Sequence, residues 1–80
     1  MVINEEKKVS LEFFYGFADI EAGTVELPCP EPTSLESLLK SLKMDMSAVS
    51  IILRDSKSIT LETYVQPGEH ISLYPILEGG

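Results

Sequence analysis

The residues of this 80-residue chain best placed to do chemistry stand at its end, in the run Pro75, Ile76, Leu77, Glu78, Gly79, Gly80. Two glycines in the last two places arise by chance in about one chain in two hundred. Without side chains, Gly79 and Gly80 can thread a narrow channel and adopt backbone angles closed to other residues, so they can carry a terminal carboxylate into another protein's active site. The group on offer is then the carboxylate of Gly80 itself.

Elsewhere the chemical inventory is thin. Cys29, the sole cysteine, lies between two prolines with no basic neighbour to lower its pKa. His70 follows a turn, lacks a second ligand at metal spacing, and is expected on the surface. Met44 and Met46 are expected to fill gaps behind a helix. There is no Gly-rich phosphate loop and no nucleophile–base set. The chain therefore reads as a non-enzyme with no catalytic residue, no metal and no cofactor of its own.

Thirteen acidic and six basic residues give a formal charge of −7, and no Lys or Arg stands between Lys8 and Lys40 while six acidic residues do. Phosphate neutralisation needs clustered Lys or Arg, so nucleic acid is disfavoured as a partner. An acidic domain suits docking on a basic protein surface; the same charge also serves solubility alone. With 44% apolar and 24% charged residues, the chain has the composition of a packed globular domain, and its length allows one core. The sequence contains no signal peptide and no apolar run of membrane length, so a cytoplasmic location and no membrane partner are expected.

The elements that must position the tail follow from periodicity. Residues 9–15, VSLEFFY, alternate as a strand with Leu11, Phe13 and Tyr15 on one side and Ser10, Glu12 and Phe14 on the other. TVELP reads as a second strand, forming a hairpin with the first. Thr33 and Glu36 fit a capping box, and Leu35, Leu38, Leu39 and Leu42 recur at helical spacing, with Lys40 and Lys43 suited to the helix end. VSIIL, residues 49–53, reads as a buried strand, RDSKS as a turn and ITLETYV as a further short strand. QPGE has the Pro-Gly pair of a type II turn. HISLYP places Ile71 and Leu73 opposite Ser72 and Tyr74, and Pro75 ends that ladder. A right-handed crossover through the helix sets the first and last strands side by side and parallel. The expected fold is α+β: a β-grasp, ubiquitin-like mixed sheet of four to five strands with one main helix on one face. A ferredoxin-like arrangement is the rival, but it wants a second helix.

The FF of the first strand, TVELP before a capped leucine helix, PGEHISLYP and the terminal GG together resemble the ThiS/MoaD family of ubiquitin-like sulfur carriers over nearly the whole chain. Length and the Tyr74–Pro75 pair look more like the small subunit of molybdopterin synthase than the thiamin carrier. Ile76, in place of a frequent second proline, and the bulky, charged Glu78 depart from that pattern. The resemblance implies a domain over residues 1–75 and a flexible tail over 76–80. It implies adenylation of Gly80 by a ubiquitin-activating-enzyme-like adenylyltransferase, using ATP and a sulfur donor bound by that partner system, and conversion to a thiocarboxylate. Sulfur then passes to a pterin on the large subunit of molybdopterin synthase, or to a thiazole precursor on thiazole synthase.

On this reading Gly80 is the acceptor, Gly79 and Glu78 thread the channel, and Phe14, Tyr74, Ile76 and Leu77 dock the partner. Phe14 and Tyr74 become neighbours if the first and last strands pair, and they either dock or cap the core. Two other functions stay open: a ubiquitin-like modifier joined to lysines through Gly80, and a plain β-grasp binding module whose tail is incidental.

Overall fold

The computed structural model describes residues 7–17 and 20–76. Strand β1, Lys8–Phe13, buries Val9, Leu11 and Phe13 and turns Lys8, Ser10 and Glu12 outward. It forms an antiparallel hairpin with β2, Gly23–Pro28, whose core-side residues Val25 and Leu27 face Leu11 and Val9. Pro28 is tolerated because β2 is an edge strand and the missing N–H breaks no ladder.

The chain then enters β3, Thr33–Ser34, and helix α1, Leu35–Ser41. The expected capping box does not form. Thr33 is held extended by pairing with Val65, its hydroxyl donates to the Glu31 carbonyl, and the last extended residue, Ser34, becomes the cap, accepting from the Ser37 N–H at 3.2 Å. Glu36 pairs instead with Lys40 one turn on, at 3.7 Å. Leu35, Leu38 and Leu39 are buried and Leu42 is half-buried at the helix end, so the leucine stripe faces the core as its spacing predicts. Each fully buried leucine contributes about 1.5–3 kcal/mol.

A seven-residue helix is too short to persist alone. Its first turn is held from outside: Leu35 N–H donates to the Thr63 carbonyl and Glu36 N–H to the Leu61 carbonyl, both at 2.9 Å. Strand β4, Val49–Arg54, and β5, Lys57–Ser58, form a second hairpin through Asp55 and Ser56, both left-handed at φ 56° and 67°. Such a two-residue turn matches the twist of its strands. Before it, Asp45 caps the short 3-10 turn of Met46–Ala48; the Ser47 hydroxyl and N–H both donate to its carboxylate and hold that carboxyl below its ordinary pKa. Met44 is buried and Met46 half-buried against the core, as expected of gap fillers.

From the ITLETYV segment, β6, Tyr64–Val65, pairs with β3 in a separate two-stranded sheet. The QPGE turn has Gly68 at φ 92° and closes through Glu69 N–H to the Gln66 carbonyl, as a type II turn requires. Arg54 braces this corner, reaching both the Tyr64 carbonyl and the Glu69 carboxylate at 3.2 Å.

Strand β7, His70–Pro75, lies between β1 and β4, parallel to the first and antiparallel to the second. The main sheet runs β2-β1-β7-β4-β5, with its core face closed by α1. Two hairpins, a helix and a parallel central pair make the expected β-grasp-like α+β fold.

Two further sequence expectations give way. VSIIL is not buried throughout: the β4–β7 register slips between Val49 and Ile51, so Ile52 faces the core while Ile51 is left 48% exposed. Tyr15 does not continue the inward row of Leu11 and Phe13. Its backbone turns left-handed at φ 67°, ending the strand and leaving the residue 71% exposed.

Candidate functional site

The parallel pairing of β1 and β7 decides what stands at the end of the sheet. Phe13 lies opposite Leu73, and the next N–H, of Phe14, donates to the Leu73 carbonyl at 3.0 Å. Phe14 therefore comes level with Tyr74, and the two rings stack with centroids 4.4 Å apart and planes within 8°. Their neighbours Phe13 and Leu73 point into the core, which leaves this stack on the outer face. Across β7, Tyr74 is paired with the exposed Ile51. Phe14, Tyr74 and Ile51 thus form an apolar row across the three inner strands.

Farther along the same face the character changes. Glu12 and Ser72 form the next row, with His70 beyond, and the His70 imidazole Nε2 lies 3.0 Å from a Glu12 carboxylate oxygen. His70 is a surface residue paired with a carboxylate, as its position after the turn predicts. The apolar row is one end of an otherwise polar face, and it is the end at which β7 finishes.

Ile76 continues from that end. Its N–H donates to the Ala48 carbonyl at 2.9 Å, while its side chain stays 53% exposed. The predicted docking residues Phe14, Tyr74 and Ile76 are therefore gathered at one end of the sheet. Leu77, Glu78, Gly79 and Gly80 lie outside the described residues.

Cys29 is fully buried, with its sulfur 3.3 Å from the Glu31 carbonyl and 3.9 Å from that of Val65. It serves as core packing beside β6. Among the described residues no three His, Cys, Asp or Glu side chains come together as metal ligands, and no helix is long and apolar enough to cross a membrane.

No family model and no curated protein matches this chain. The site is accordingly read from its own residues. Two of them escaped sequence reasoning. Ile51 sits in a run of apolar residues that reads as buried on both faces, and only the register slip reveals its exposure. Tyr15 fits the alternation of the first strand, and the one signal against it is Gly16 immediately after, itself left-handed at φ 75°.

Proposed function

We propose that this chain is a sulfur carrier, a protein cosubstrate whose terminal glycine holds sulfur for a biosynthetic reaction. The observation that carries the reading is the exposed apolar end of the sheet, built on the Phe14–Tyr74 stack and continued by Ile76, four residues before Gly80. Exposed apolar groups gathered at the root of a Gly-Gly tail are what a partner needs to hold the domain while the tail enters its active site.

The chemistry follows from the tail. A carboxylate is a poor electrophile, so the partner first couples it to AMP. An oxygen of Gly80 attacks the α-phosphorus of ATP and pyrophosphate leaves. The terminal sulfur of a persulfide donor then displaces AMP from the acyl carbon. A second thiol attacks the resulting acyl disulfide, forming a disulfide with the donor and releasing the thiocarboxylate. Thiocarboxylic acids are ionised at neutral pH, so the sulfur leaves its carrier as a nucleophile without a base from this chain. A pterin precursor of molybdenum or tungsten cofactor is the favoured acceptor, on the resemblance of the Tyr74–Pro75 ending; a thiazole precursor is the alternative.

The test is direct. Incubation with the activating enzyme, ATP and a sulfur donor should exchange one oxygen of Gly80 for sulfur, read from the intact mass. An unchanged mass with an enzyme shown to be competent on another carrier would refute the proposal. A Gly-Gly branch on lysines of other proteins, lost when Gly80 is deleted, would point to a modifier instead. Unimpaired function without Gly79 and Gly80 would point to a plain binding module.

A further inference from the structure

Among the described residues, nothing requires residue 15 to be a tyrosine. The Tyr15 backbone is left-handed, as is that of Gly16, in the turn that follows β1. Residues other than glycine, asparagine and aspartate adopt this conformation at a cost in free energy, and a bulky aromatic residue there is an outlier. Packing does not repay that cost, because the residue is 71% exposed. Outliers of this kind are found at ligand clamps and other functional sites, where the strain holds a group ready.

Its position says what it is ready for. The ends of the parallel strands β1 and β7 bring Tyr15, the Phe14–Tyr74 stack and Ile76 to the same end of the sheet. From Ile76 the four residues to Gly80 reach at most about 14 Å even when fully extended. Any active site that receives Gly80 must therefore press close to this end of the domain, and Tyr15 stands there in a left-handed turn. The charged residues nearest it in sequence, Glu12, Asp19 and Glu21, are all carboxylates, since no Lys or Arg occurs between Lys8 and Lys40.

We infer that Tyr15 is a preorganised anchor for the adenylating enzyme, its ring entering an apolar recess with a basic rim on that protein. This rests on the sulfur-carrier reading above and adds to it a residue that determines recognition. Tyrosine suits the role, because it brings a large rigid surface and a polar tip at small entropic cost.

The experiment is ATP–pyrophosphate exchange catalysed by the ubiquitin-activating-enzyme-like protein of the same organism, with this chain as the varied substrate. Tyr15→Asn should relieve the turn and raise the melting temperature by about 4–8 °C. The same variant should raise KM for the chain roughly tenfold with kcat unchanged. Tyr15→Phe, which keeps the ring, should hold KM near the wild-type value.

Stability and recognition thus move in opposite directions, which a merely structural tyrosine cannot produce. A wild-type KM in Tyr15→Asn overturns the anchor while leaving the carrier reading intact, and so does a lowered melting temperature or a Tyr15→Phe variant as weak as Tyr15→Asn. Normal adenylation of Tyr15→Asn with failed sulfur delivery assigns the residue to the synthase and overturns the inference as stated. A wild-type chain that supports no exchange, with the enzyme active on another carrier, removes the carrier reading and the anchor with it.

Discussion

Replacing Phe14 and Tyr74 by leucine, singly and together, tests the geometry on which the candidate site is built. Leucine keeps most of the apolar volume and removes the ring. Each single variant should cost about 1–1.5 kcal/mol, below the 3–5 kcal/mol of deleting a fully buried aromatic residue, because both rings are only half-buried and the substitution is partial. Rings stacked at 4.4 Å and 8° should add a coupling of about 0.5–1.5 kcal/mol beyond the area they bury. The double variant should therefore be destabilised by less than the sum of the singles, by that amount. Urea midpoints at a shared m-value measure it, and in a domain of this size about 1 kcal/mol corresponds to 4–8 °C in melting temperature. Tyr74→Phe should preserve the coupling, since the hydroxyl takes no part in the stack. Additivity to within about 0.3 kcal/mol would mean that the rings do not face one another, and the register of β1 on β7 would need to be redrawn.

The helix cap gives a second prediction. Ser34→Ala should cost about 1 kcal/mol in chemical denaturation and Thr33→Ala clearly less, because Ser34 and not Thr33 accepts from the helix backbone; equal losses would restore the cap to Thr33. The third concerns pH. The Asp45 carboxyl is held below its ordinary value by the Ser47 hydroxyl and N–H, so its contribution is fully present above the unfolded value of 3.8 and disappears as pH falls through the lower folded value. Carbon-detected NMR titration should place Asp45 below that reference, and Ser47→Ala should move it back up; no upward movement would show that the hydroxyl is not the cause.

Much of the architecture was legible because local pattern and tertiary demand agree. Leu35, Leu38 and Leu39 recur at helical spacing and are the residues the helix buries. Ile71 and Leu73 alternate with polar neighbours and face the core. The parallel pairing of first and last strands followed from the right-handed crossover rule, and it in turn made Phe14 and Tyr74 neighbours. What escaped is set by pairing between distant segments. Thr33 would cap the helix if its backbone were free, but Val65 draws it into a strand and the cap moves on by one residue. The slip beside Ile51 depends on how β4 meets β7, and the turn at Tyr15 reverses a backbone that its alternation says should continue. The tail itself carries no periodicity, so the reading of Gly79 and Gly80 rested on composition, on chemistry and on the resemblance to the ThiS/MoaD carriers.

Strand β7 is both the central strand of the main sheet and the last of the described elements to be made. On a ribosome the hairpins β1–β2 and β4–β5 emerge first, and until residues 70–75 follow they have no strand to join them; an isolated hairpin is only marginally stable in water. Prematurely released chains ending before His70 are thereby denied the fold.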